Sequence, residues 1–172
     1  MNWSIHDSRN RYSLHGWGDG YFDVNDRGHL TVNVPIKDQR VEVDLYQVAG
    51  EIGRAALNWP VLVRCTGILH HRIDSLCSAF EASKARHGYT GTYTAAYPIK
   101  VNQQFSVVQE IVRHGGERVG LEAGSKAELM AVLGLARADG LVICNGYKDR
   151  EYIRLGLIAR RLGQRIFLVI EK

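Results

Sequence analysis

The chain has 172 residues, 45% of them apolar and 23% charged, with a formal net charge of +4. This is enough chain for one domain with a real core, at an ordinary soluble composition. The densest basic cluster, Arg160, Arg161 and Arg165, fits the exposed face and end of a helix, which argues against a nucleic-acid partner. No apolar run reaches the length of a membrane span and residues 1–11 carry no apolar signal core, so no membrane association and a cytoplasmic location are expected. Cys65, Cys77 and Cys144 are odd in number and far apart, a spacing that forms neither a disulfide framework nor a zinc site.

Residues 1–40 read as short strands and turns. The glycines of 16–20 mark a turn, 21–24 a strand, Asn25-Asp26-Arg27-Gly28 a hairpin turn and 30–34 a second strand. No helix pattern follows those glycines directly, so a tight turn is expected there rather than a phosphate cradle. Asp44 reads as an N-cap, with Leu45, Val48, Ala49, Ile52 and Ala56 at helical spacing and Pro60 as the stop. Residues 61–65 read as a short buried strand. Thr66 opens a helix with the stripe Leu69, Ile73, Leu76 and Phe80, ended by Gly88. His70 and His71 resemble a metal pair, but neighbours on a helix point to different sides, so they are expected to be surface histidines.

From Tyr89 onward the pattern becomes regular. Strand 92–99 leads to Lys100, with Pro98 marking an edge or the end of regular pairing. A helix follows on Val107, Val108, Ile111 and Val112, closed by Gly115-Gly116. Strand 118–121 leads to Glu122, and Ser125-x-x-Glu128 forms a capping box that opens a helix on Leu129, Val132, Leu133 and Leu135. Strand 141–144 leads to Asn145, helix 149–162 follows, and strand 166–170 leads to Glu171 and Lys172. The polar strand ends Lys100, Glu122, Asn145 and Glu171 are separated by 22, 23 and 26 residues. One strand plus one helix per step builds a parallel α/β sheet. Two architectures fit, an open doubly wound sheet and a (β/α)8 barrel. The first predicts an early Gly-x-Gly-x-x-Gly loop, which is absent, and the second predicts functional side chains at successive strand ends, so the barrel is expected.

Lys100 at such a strand end is either a solvated charge or, if partly withdrawn from water, an amine able to form a Schiff base. Pyridoxal phosphate is the cofactor most often held that way. The motifs narrow the choice. Tyr97-Pro-Ile-Lys-Val-Asn-Gln103 resembles the cofactor-lysine strand of the biosynthetic arginine decarboxylases. The stretches 120–129, 144–154 and 169–172 are similar to the family's next three strand ends, and Trp17-Gly-Asp-Gly-Tyr-Phe22 is similar to its N-terminal segment. Cys65-Thr66 departs from the family pattern.

The resemblance implies the first half of a (β/α)8 barrel, in members several times longer than this chain. The corresponding organisation is a β-rich N-terminal segment at 1–40 and a partial, pyridoxal-phosphate-binding barrel at 41–172. It implies decarboxylation of L-arginine to agmatine and CO2 for polyamine biosynthesis, by a homo-oligomer. Lys100 would carry the cofactor, and Glu122 would be the acidic group beside it. Glu122 has a second reading as a carboxylate at a helix N-terminus. Asn145 reads equally as a turn residue before Gly146, Ser125 as a cap and Cys144 as a core thiol. Magnesium is implied as well, although no carboxylate cluster of octahedral character is visible. The phosphate-binding loops, the substrate contacts and the cysteine donated across a dimer would lie outside this chain, which alone is expected to be inactive. Two other functions stand beside this one: a related barrel decarboxylase for another basic amino acid, and a non-catalytic relative that binds a partner.

Overall fold

A computed structural model describes residues 3–37 and 39–170. The chain divides into two compact units, Met1–His71 and Arg72–Lys172.

The first unit begins with two helices that the sequence pattern did not announce, α1 (Ile5–Arg11) and α2 (Leu14–Trp17). Seven and four residues are too few for an apolar period to register. The local signal for α1 is its cap, because the Ser4 hydroxyl accepts the Asp7 amide at 3.2 Å. An antiparallel sheet follows, ordered β1 (Phe22–Val24), β2 (Leu30–Ile36), β3 (Gln39–Asp44). The hairpin turn falls where Asn25-Asp26-Arg27-Gly28 places it. The Asn25 side-chain oxygen accepts the Arg27 and His29 amides, both at 3.0 Å, and Gly28 takes the positive φ of 79° that closes the turn. Arg9 clamps α1 to β1 through a two-pronged ion pair with Asp23, at 2.6 and 2.8 Å. Strand β3 ends on Asp44, which caps α3 (Leu45–Arg54) by accepting the Tyr46 and Gln47 amides.

Residues 61–65 were expected as a buried strand and are irregular instead, with Leu62 and Val63 exposed. β-propensity measures fit to a half-covered pleated surface. Among the described residues no strand pairs with this segment. Helix α4 (Thr66–His87) follows and crosses the division between the units.

The second unit is a mixed α/β layer. Its strands β4 (Ala95–Pro98), β5 (Val119–Ala123), β6 (Leu141–Cys144) and β7 (Arg165–Leu168) lie side by side in chain order, all parallel. Helices α5 (Phe105–Gly115), α6 (Lys126–Leu135) and α7 (Arg150–Arg161) make the three crossovers. Alternation along the strands decides what each face carries. Leu121 and Ala123 of β5, with Val142 and Cys144 of β6, meet Val108, Leu129, Val132 and Tyr152 of the helices in one buried cluster. The other face carries the register row Pro98, Glu122, Ile143 and Phe167, whose last member is 56% exposed. One face of the sheet is therefore covered by helices, and the other carries the polar strand-end residue Glu122. Among the described residues, no helix is long and apolar enough to cross a membrane.

Candidate active site at the carboxyl ends of the parallel strands

Strand β4 stops at Pro98, whose nitrogen has no hydrogen to donate, and one turn of 3-10 helix follows over Ile99–Val101. A 3-10 turn rotates successive side chains by about 120°. Ile99 accordingly drops into the core at 1% exposure, while Lys100 points out to solvent. Lys100 thus lies one turn beyond the strand rather than at its last pair. Other residues of the motif shape this turn. The Tyr97 phenol donates to the Asn102 carbonyl at 3.1 Å, bridging the turn from below, and the Asn102 side chain accepts the Gln104 amide at 2.9 Å to launch α5. Burial pushes the Tyr97 phenol up against the opposing effect of that carbonyl bond, so it stays a donor.

On the neighbouring strand, Glu122 lies in register with Pro98 and is 8% exposed. Its Oε2 is buried and has no hydrogen-bond partner. A buried carboxylate oxygen in that condition costs stability, and a catalytic role is one of the causes that retain such a group. Its reading as a carboxylate at a helix N-terminus does not match this placement, because Glu122 belongs to the strand and the cap of α6 is Ser125.

The junction after Glu122 is tightly built. Ser125 accepts the Glu128 amide at 3.2 Å, as the capping box requires. The return half of the box differs: the Glu128 carboxylate takes the Gly124 amide at 2.6 Å instead of that of Ser125. The Ala123 carbonyl accepts two bonds, from the Asn145 amide at 2.8 Å and the Tyr152 hydroxyl at 2.7 Å. Gly146, at φ 69°, packs directly on the Gly124 backbone, where any side chain would collide. Asn145 uses its side-chain oxygen on the Gly146 amide at 2.9 Å, which is the turn role expected of it. Asp149 caps α7 through the Tyr152 amide and pairs with Lys126 at 2.6 Å, tying the start of α6 to the start of α7. The Lys126 bond is the main cause that holds the Asp149 carboxyl below the usual carboxylate range. Burial pushes the Cys144 thiol up, so it behaves as a core thiol. Glu171 and Lys172 lie outside the described residues.

Sequence reading missed Tyr152 as a partner of Ala123, and it missed the contact of Gly124 with Gly146. The available signal for the first was a tyrosine inside an apolar helical stripe, since a buried phenol must find an acceptor. It also missed His71, whose Nδ1 meets the Tyr21 hydroxyl at 2.7 Å. Among the described residues no group of three or more His, Cys, Asp and Glu side chains could hold a metal ion. The magnesium implied by resemblance therefore has no donor set among the described residues.

The fold is a parallel βα-repeat domain with Lys100, Glu122 and Asn145 at or just beyond the carboxyl ends of successive strands, the end at which such domains place their ligands. Residues 73–162 match the family described as pyridoxal-dependent decarboxylase, pyridoxal binding domain. The chain belongs to this family. It is 53% identical over 171 residues to a biosynthetic arginine decarboxylase of Alkalilimnicola ehrlichii, covering 99% of this chain and 27% of that protein. It is 52% identical over 172 residues to the protein of the same name from Chromobacterium violaceum, covering 100% of this chain and 27% of the relative. The crystal structure of the biosynthetic arginine decarboxylase from Campylobacter jejuni superimposes with a TM-score of 0.83 at 31% identity, over 93% of this chain and 26% of that one. This chain spans about a quarter of the length of these relatives.

Proposed function

We propose that this chain is the part of a pyridoxal-phosphate-dependent arginine decarboxylase that supplies the cofactor lysine, and that β4–β7 open a (β/α)8 barrel. Four parallel strands in unbroken chain order, with a helix in every crossover, support the barrel. The relatives' names and the family match support the activity. The observation that carries the site is the buried, unpartnered Oε2 of Glu122, in register with the strand end that leads into Lys100. The residues present fit the cofactor, because a lysine amine can form the covalent link and the orphaned carboxylate lacks the cationic partner the link would bring.

When bound, pyridoxal phosphate supplies an electron sink for the pair left on the α-carbon as CO2 departs. Lys100 would hold the cofactor through Nζ, and the same amine would be available to return a proton to the α-carbon. Glu122 would favour positive charge on the lysine nitrogen that holds the cofactor, and its burial would strengthen that effect. The turn over Ile99–Val101, fixed by Tyr97 and by the buried Ile99, gives Lys100 a set point of attachment.

The product would be agmatine, feeding polyamine synthesis in the cytoplasm, with a homo-oligomer as the working form. CO2 release by the full-length protein from L-arginine, L-ornithine and L-lysine tests the reading. A preference for arginine above about a hundredfold in kcat/KM, a few kcal/mol of differential transition-state binding, is expected. A higher kcat/KM for lysine or ornithine moves the protein to a decarboxylase of another basic amino acid, and no turnover of any of them leaves a partner-binding relative.

A further inference from the structure

The Glu122 Oε2 has no hydrogen bond of its own, so its aim is set by the backbone from which the side chain springs. The Ala123–Gly124 peptide unit, one residue further along the chain, is held from three elements at once. Its carbonyl takes the Asn145 amide from the loop after β6 and the Tyr152 hydroxyl from α7, and its amide proton goes to Glu128 of α6. Gly146 closes on the next peptide, against the Gly124 carbonyl. One of these bonds is surplus to ordinary satisfaction. The Asn145 amide already gives the Ala123 carbonyl a partner, so a phenylalanine at position 152 would fill the same buried volume and leave no orphan. Tyr152 is completely buried, and a buried hydroxyl demands an acceptor that a plain ring would not. Burial raises its phenol well above the ordinary value, with Cys144 and Glu122 adding to the effect, so the hydroxyl remains a donor throughout the working pH range.

We infer that Tyr152 is a positioning residue: reaching from α7 to the Ala123 carbonyl, it locks the Ala123–Gly124 peptide and so steadies the strand end from which the Glu122 carboxylate would act on the cofactor. Completely buried, with its hydroxyl given to the Ala123 carbonyl, Tyr152 acts through Glu122. The inference rests on the cofactor reading of Lys100 and Glu122 given above.

The test is a double-mutant cycle in the full-length protein with Tyr152→Phe, Glu122→Gln and both together, and with Lys100→Arg as the control. Tyr152→Phe is expected to lower kcat about fivefold with KM held within about twofold, and to cost less than about twofold when combined with Glu122→Gln. The pH midpoint of the cofactor's visible band should move in the same direction in Tyr152→Phe as in Glu122→Gln. In the cofactor-free protein, hydrogen exchange at the Asn145 amide should quicken. Gly146→Ala presses on the adjoining peptide, at the Gly124 carbonyl, from the neighbouring loop and is the second variant, with the same non-additivity expected. Equal losses of kcat in the wild-type and Glu122→Gln backgrounds, or an unmoved band midpoint, overturn the role of Tyr152. A Lys100→Arg protein that keeps its visible band and activity overturns the cofactor reading itself, and this inference with it.

Discussion

Replacing Glu122 with leucine should make the protein more stable and less active. Glu122 is the one buried carboxylate among the described residues, at 8% exposure on a strand whose five positions are all buried, and its Oε2 is unpartnered. An unsatisfied buried polar group costs about 1–3 kcal/mol, and exchanging a poorly paired buried charge for an apolar side chain of similar volume is commonly stabilising. Leucine removes that cost and adds apolar contact beside Ile143 in the same row, for a net gain of about 2 kcal/mol. At a urea slope of about 2 kcal/mol per molar, the unfolding midpoint of the cofactor-free protein should rise by about 1 M. CO2 release from arginine should fall in the same preparation. Urea unfolding and turnover, measured on wild type and Glu122→Leu, give both numbers. An unchanged or lower midpoint would refute the reasoning, because it would mean that the carboxylate is already well paired or hydrated.

Three further outcomes are expected. Leu129→Ala should cost about 3 kcal/mol by leaving a void in the fully buried cluster, whereas Met130→Ala next to it, 64% exposed, should stay within about 0.5 kcal/mol in the same thermal-unfolding assay. Burial pushes the Asp44 carboxyl up, but bonds from His29, the Gln47 amide and Asn25 outweigh it and bring the carboxyl down to about 2. A depressed carboxyl stabilises the fold above its unfolded value near ~4 and loses that contribution as pH falls from about 4 to 2, so Asp44→Asn should flatten urea-monitored stability across that window. Residues 1–172 alone should form no agmatine and should aggregate. Phe167 is exposed on strand β7, which pairs only with β6 among the described strands and so offers a β-prone edge. Size-exclusion chromatography and agmatine assays beside the full-length protein check this, and a soluble, active fragment would contradict it.

The parallel sheet was legible because each of its signals is local. Strand β6 reads as the continuous apolar run Leu-Val-Ile-Cys, and its helical neighbours open on Ser125 and Asp149, side chains that cap α6 and α7. Asp44 was legible for the same reason. Lys100 and Glu122 stood out because they interrupt or end apolar runs, yet the sequence misjudged their surroundings. It gave Lys100 to the strand end, where Pro98 instead yields to a 3-10 turn, and it ended the second strand before Glu122, which the sheet buries. The remaining features depend on partners far along the chain. Nothing near Tyr152 reveals that its hydroxyl reaches Ala123, 29 residues away. Gly146 reads as an ordinary turn glycine until the Gly124 backbone is seen against it. Residues 61–65 have the composition of a strand, but composition cannot supply the neighbouring strand that would hold them in one.

The central claim is that Lys100 carries the cofactor. It is tested most directly by loading the full-length protein with pyridoxal phosphate, reducing it with borohydride and mapping the labelled peptide. The account predicts a single label on Lys100, within Tyr97-Pro-Ile-Lys-Val-Asn-Gln103, and loss of both label and visible band in Lys100→Arg, which keeps the charge but lacks the amine. Label on Lys126, Lys148 or Lys172 in place of Lys100 would contradict it.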